Sequence, residues 1–399
     1  MLAHSPPLPL IINYFDKEYH HDLTTEDEEG IILALHHRDR VRRIRLMKPI
    51  PKLEKLIISL DGEFPILEFL LIWHQPHHRP VVQNILNLKF PETFHAPHLR
   101  RLVLENFTIP FESPSIPNMG NLVRVVTLSL VKIPSSVYFH PNVLLQRLFL
   151  MPQLEILQTT FNLNPSRYVE RELLRTPIMT RVTLPNLRLI SFRGSNAYLE
   201  ALLPCVTTPL LENLCVRLFN RVVYSIPHLQ RFMSTAGSLR LKTATFTFYE
   251  DCLMVTAYPH KGARMYSLAM ELGGRHLDWQ VVSAAQVSHA LRTVFSAIEH
   301  LSLKYDKHNI SSEWNNEADR TWWREFLGSF GNVRALFVDS ELVGQISRTL
   351  RPGEGESSME LLTELQELSY SDNGASHGAF TSFVDARQKA DHPVTIIHS

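Results

Sequence analysis

Thiols and imidazoles are the side chains here that could do covalent or metal chemistry. Three cysteines, Cys205, Cys215 and Cys252, are spread over 399 residues. They show no C-x-x-C spacing, and one is left over in any disulfide scheme. They read as reduced thiols of a cytoplasmic or nuclear protein. A nucleophilic cysteine needs a base within hydrogen-bond reach, and nothing in the sequence places a histidine beside Cys215. The twenty histidines are densest in Trp73-His74-Gln75-Pro76-His77-His78. Zinc requires about four fixed ligands; Pro76 breaks helical spacing here, and no cysteine or carboxylate adjoins the three. His20-His21 and His36-His37 read as surface pairs. The chain holds no G-x-S-x-G, no GxxxxGK[ST], no G-x-G-x-x-G and no H-E-x-x-H. The expectation is a protein that is not an enzyme and has no cofactor and no metal site.

Arginine offers a different chemistry, recognition. Its guanidinium pairs in a plane with carboxylate or phosphate. Arg43 and Arg45 lie close together, Arg101 follows, and Arg193 and Arg217 come further along. Phe69, Leu71 and Trp73 supply a large apolar cluster nearby in sequence. These residues act together only if the fold sets them on one face.

The elements that would do so recur. The pattern apolar-x-x-apolar-x-apolar appears at Leu67, Leu70 and Ile72; at Leu99, Leu102 and Leu104; at Leu211, Leu214 and Val216; at Ile298, Leu301 and Leu303; and at Leu365, Leu368 and Tyr370. At 44% apolar content, about 34 such matches arise by accident. Leu53-x-x-Leu56-x-Ile58 is one of them and reads as a helix entered at Pro51. Ordered spacing carries more weight. The fourth motif positions are Ile44, Leu70, Leu102, Leu128, Leu157, Ile190, Leu214, Ala244, Leu268, Leu301, Leu336 and Leu368, separated by 24 to 35 residues. A further strand fits around Leu10, Ile12 and Tyr14. Each interval is expected to hold a helix-like segment, such as the one opened by Thr25-x-x-Glu28, the one entered at Pro141, or those at 198–203, 229–233, 284–295 and 322–327. Repeated strand and helix at this period selects an α/β leucine-rich-repeat solenoid of about twelve irregular units. Parallel strands would line the concave face of a curved horseshoe, with helices on its convex face.

Alternation along a strand then sorts the side chains. The fourth and sixth positions turn toward the helices. The third, fifth and seventh face outward, which exposes Arg43, Arg45, Phe69, Leu71, Trp73, Arg101, Arg193 and Arg217 on the concave face as the partner-binding candidates. Cys215 falls on this face as well. Trp322 and Trp323 sit in an amphipathic pattern with Phe326 and Leu327 and are expected in the core.

Composition narrows the partner. Lys plus Arg and Asp plus Glu are both 40, so the formal charge is zero, unlike the basic surplus of a nucleic-acid binder. No apolar run reaches about 18 residues. We therefore expect no nucleic-acid and no membrane partner. Residues 1–40 would form an N-terminal cap or partial first repeat, and residues 41–399 the solenoid.

Several segments resemble fungal, basidiomycete-type F-box proteins with leucine-rich repeats. They are Leu365-Gln-Glu-Leu-Ser-Tyr-Ser-Asp-Asn-Gly374, Ala379-Phe-Thr-Ser-Phe-Val-Asp-Ala-Arg-Gln388 and His392-Pro-Val-Thr-Ile396, with Arg40-Val-Arg-Arg-Ile-Arg-Leu46 and Pro65-Ile-Leu-Glu-Phe-Leu70 near the start. The resemblance covers essentially the whole chain. It implies a repeat region that holds a protein substrate for an SCF-type ubiquitin ligase. The family's F-box binds a Skp1-type adaptor, but no Leu-Pro-x-Glu-Ile-Leu-like helix precedes Ile44. A Skp1-type partner is thus expected only if an F-box exists upstream. The alternative is a standalone leucine-rich-repeat scaffold with no ubiquitin role.

Overall fold

The computed structural model describes residues 8–15, 25–48, 50–74, 88–91, 93–108, 122–134, 138–162, 175, 177–219, 225–236, 239–306, 319–351, 361–371 and 378–398. The chain forms two compact units, Met1–Leu211 and Glu212–Ser399. Each is an α/β unit built on a large, mostly parallel sheet with helices in the crossovers.

In the first unit seven parallel strands follow one another in sequence order: β1 (Leu10–Phe15), β2 (Val41–Lys48), β3 (Phe69–His74), β4 (Arg101–Glu105), β5 (Thr127–Ile133), β6 (Ile156–Phe161) and β7 (Leu189–Gly194). Ile12, Ile44, Leu70, Leu102, Leu128, Leu157 and Ile190 stand side by side in the ladder, each the register partner of the next. All seven are buried. This column is the reason the repeat works. Each leucine or isoleucine removed from water contributes about 1.5–3 kcal/mol, and only a neighbouring strand provides the cover.

Helices α1 (Thr25–His36), α2 (Ile50–Ile58), α3 (Pro141–Phe149) and α4 (Asn196–Leu202) occupy crossovers of this unit. The segment around Leu53 and Leu56 is helical, as Pro51 implies, and both leucines are fully buried. At α3, His140 Nδ1 accepts from the Asn142 amide, and Pro141 fills the first helical position, where no amide hydrogen is needed. The link between β3 and β4 has a two-residue strand, Leu88–Lys89, paired with Phe107–Thr108.

The second unit departs from simple succession. Its strands are β8 (Asn213–Leu218), β9 (Thr243–Phe248), β10 (Cys252–Tyr258), β11 (Leu268–Gly273), β12 (His300–Tyr305), β13 (Ala335–Val338), β14 (Glu367–Tyr370) and β15 (Thr395–His398). In space the order is β8-β11-β10-β9-β12-β13-β14-β15. Strand β10 runs antiparallel to both neighbours. The interval between Ala244 and Leu268 is thus filled by a strand and not by the expected helix. The register survives this inversion. Leu214, Leu268, Ala257, Ala244, Leu301, Leu336, Leu368 and Ile396 form one column.

Two longer crossovers bracket the meander. One carries α5 (Pro227–Thr235); the other carries α6 (Leu277–Ala290) and α7 (Arg292–Phe295). Helices α8 (Arg320–Leu327), α9 (Ser340–Leu350) and α10 (Thr381–Lys389) complete the layer. Phe246 packs edge-on against Phe326 at 4.8 Å, and Phe295 stacks on Phe330 at 5.7 Å. Trp323 is fully buried, and its indole N–H donates to Gln345 Oε1 at 2.8 Å. Trp322 is only half-buried.

Candidate functional site

Strand alternation sets up the open face of the first unit. On β2, Ile44 and Leu46 are buried while Arg43 and Arg45 are exposed. The registers align the outward positions in rows. One row runs Ile11, Arg43, Phe69 and Arg101; the next runs Asn13, Arg45, Leu71 and Val103. Met47 pairs with Trp73 in the row beyond. The structure therefore brings Arg43, Arg45, Phe69, Leu71, Trp73 and Arg101 onto one continuous patch.

Exposure within the patch differs from expectation at one position. Phe69 points outward but is only 8% exposed, because the guanidinium groups of Arg43 and Arg45 lie over its ring at 5.7 and 5.3 Å. A cation over an aromatic face is held by the ring quadrupole. The expected exposed phenylalanine is thus a covered one, and the arginines form the surface. Leu71 and Trp73 are half-buried. Ile11, 57% exposed beside Arg43, belongs to the same patch. The alternation that marks Leu10, Ile12 and Tyr14 as inward also marks Ile11 as outward, so the signal was present in the sequence.

The cations of the patch differ from others in the molecule. At the entry edge of the sheets, Arg42 pairs with Glu68 at 3.0 Å, and Lys242 pairs with Glu299. Lys132 pairs with the buried Glu105 at 2.5 Å. Arg217 pairs with Glu271 on the neighbouring strand β11 at 2.5 Å. Arg217 is thus an ion-paired cation that remains 43% exposed. Among the described residues no carboxylate pairs with Arg43, Arg45 or Arg101. Arg193, on β7 beside Thr160, is half-buried and in the first unit's sheet, away from β2 to β4.

Two of the thiols are poor nucleophiles. Burial, then the charges of Asp251 and Glu271, push the Cys252 thiol up to about 12. Burial also raises Cys205. Cys215 lies on the open face of β8 and hydrogen-bonds the Tyr266 hydroxyl, whose own value is raised chiefly by burial. All three cysteines are free. Among the described residues no three His, Cys, Asp or Glu side chains converge to hold a metal ion. The histidine cluster at 74–78 lies outside the described side chains. Among the described residues no helix is long and apolar enough to cross a membrane.

No protein-family model matches the sequence, and no curated protein does. Solved structures give distant likenesses. One is the leucine-rich repeat-containing protein LegL7 from Legionella pneumophila, with TM-score 0.32 and 10% identity over 95% of this chain and 97% of that one. Another is TLR13 in its complex with ssRNA13, with TM-score 0.32 and 12% identity; the match covers 94% of this chain and half of TLR13.

Proposed function

We propose that this chain is a protein-recognition module whose contact surface is the open face of β1 to β4, from Ile11 through Arg43, Arg45, Leu71 and Trp73 to Arg101. One observation carries the reading. Three exposed arginines without an acidic partner among the described residues stand over and beside a covered aromatic ring, next to an exposed isoleucine and a half-buried tryptophan. Arginine and large aromatic side chains on an open face are typical anchors of protein interfaces. The repeated ladder gives a rigid, extended platform.

Within that reading the finer role is substrate recognition for an SCF-type ubiquitin ligase, in the cytoplasm or nucleus. Its support is the repeat style of segments 40–46, 65–70, 365–374, 379–388 and 392–396. Under this role a Skp1-type adaptor would bind an F-box on a longer form of the chain.

The surface is tested with a random peptide library displayed on phage, selected on the purified chain. Selected peptides should lose binding to Trp73→Ala and to the Arg43→Ala, Arg45→Ala double variant, with thermal melting checked for each. Peptides that bind all these variants like the parent would overturn the assignment of the surface.

A further inference from the structure

Two guanidinium groups share one ring, and this fixes more than their location. Arg43 and Arg45 are two residues apart on one face of β2, which sets them about 6.6–6.8 Å apart along the strand. Both lie over Phe69, which β3 presents in register with Arg43. A guanidinium held by a ring face spends no N–H on a carboxylate, and no carboxylate among the described residues pairs with Arg43 or Arg45, so their N–H edges remain to fork a ligand carboxylate. Long side chains lose conformational freedom on binding, and prior stacking reduces that loss. Arg101 flanks the ring from the other side, in register with Phe69 on β4.

Resting on the surface assigned above, we infer that Arg43 and Arg45 form a twin carboxylate receptor for an extended partner segment with two acidic residues separated by one residue. An extended peptide repeats its side chains on one face at the same spacing as a strand, so acid-x-acid matches the pair. Adjacent acids point to opposite faces and cannot engage both. Phe69 does not touch the ligand; it is a positioning residue that holds the two arginines. Arg101 accommodates a third negative charge, and half-exposed Leu71 and Val103 receive an apolar neighbour.

The test uses the full chain and labelled synthetic peptides of one composition, read by fluorescence anisotropy at low and high salt. One peptide carries Asp-Ser-Asp and its isomer carries Asp-Asp-Ser. The alternating peptide should bind at least about fivefold tighter, with the preference lost in the Arg43→Ala, Arg45→Ala variant. Phe69→Leu keeps an apolar side chain but removes the π face. It should weaken the alternating peptide about fivefold, the equivalent of about 1 kcal/mol of cation–π stacking, while Phe69→Tyr retains affinity. Equal binding of the two isomers to the parent chain would overturn the inference, whether or not Phe69→Leu folds. So would a folded Phe69→Leu that binds and discriminates as the parent does. A phage selection whose winners depend on Trp73 and the arginines but lack alternating acids would leave the recognition surface standing and remove this inference alone.

Discussion

Arg387 donates from Nη2 to the carbonyl of Leu362 at 2.6 Å, from the helix of one repeat to the loop of the repeat before it. The same side chain donates to Leu361 O at 2.7 Å and to Thr363 O at 3.2 Å. It is fully buried and lies over the Phe383 ring at 5.2 Å. Leu362 has φ +51, a conformation rarely adopted by a leucine. A buried charge is tolerated when hydrogen bonds replace its water, and here backbone carbonyls do so.

Arg387→Met should therefore lower stability by about 2–4 kcal/mol, since it leaves these carbonyls without their donor. Urea unfolding of the two proteins measures this. A change below about 0.5 kcal/mol would mean that water takes over the role of the guanidinium.

Two carboxylates predict the acid limb of stability. The Lys242 hydrogen bond and charge hold Glu299 below its ordinary value of 4.5. The Thr321 amide holds Asp319, which caps α8, below 3.8. For a lowered carboxylate the unfolded chain binds more protons as pH falls. The stabilisation is present above the ordinary value and is lost as pH drops through the lower folded value. The Glu299→Gln, Asp319→Asn double variant should thus lose less stability than the parent on acidification from about pH 5 to pH 3. Urea midpoints across this range decide it, and parallel curves would contradict the assignment.

The repeat was readable wherever one strand alternates with one crossover. Every inward marker from Ile44 to Leu368 lies in a strand, because burying a fixed pair of apolar positions is what the pattern encodes. The inversion at β9 to β11 was not readable from those markers. Ala244 and Leu268 satisfy the column in either strand order, so the pattern is blind to which neighbour each one meets. Cys252–Tyr258 does alternate, with Leu253, Val255 and Ala257 buried, and that two-residue period was the available signal. At the site, spacing placed Arg43, Arg45, Phe69, Leu71, Trp73 and Arg101 on one face. It could not foresee that Phe69 is roofed by two arginines or that Arg217 meets Glu271, since those depend on side-chain reach between strands.

Cys252 offers a direct probe of the inverted segment, because besides the adjacent Asp251 two of its charged neighbours, Glu271 and Arg217, come from β11 and β8. Glu271 raises its value and Arg217 lowers it. Glu271→Gln removes a negative charge beside the thiol and leaves Arg217 without its pair, so both effects favour the thiolate. The value should fall from about 12. Arg217→Ala should move it the opposite way. Alkylation of Cys252 with iodoacetamide across a pH series, followed by mass spectrometry, reads both shifts. Identical profiles in the three proteins would be inconsistent with β11 lying between β8 and β10.

Gly62 separates backbone strain from crowding. Its φ is +110, a region that side-chain-bearing residues rarely adopt, and its carbonyl accepts from the His95 amide at 2.9 Å. An added Cβ would also meet Nη1 of Arg38, whose guanidinium lies over Phe64 at 5.7 Å. The two costs have different remedies. Arg38 is a flexible side chain and can swing aside, whereas the backbone angle is set by the turn that joins α2 to the Glu63–His95 bridge. Gly62→Ala should therefore cost more than about 1 kcal/mol. The same substitution placed in an Arg38→Ala background should cost nearly as much, since only the contact has been removed. Thermal melts of the four proteins in this cycle give the coupling directly. If Arg38→Ala abolished the cost of the alanine, crowding and not the left-handed backbone would be the reason glycine is required here.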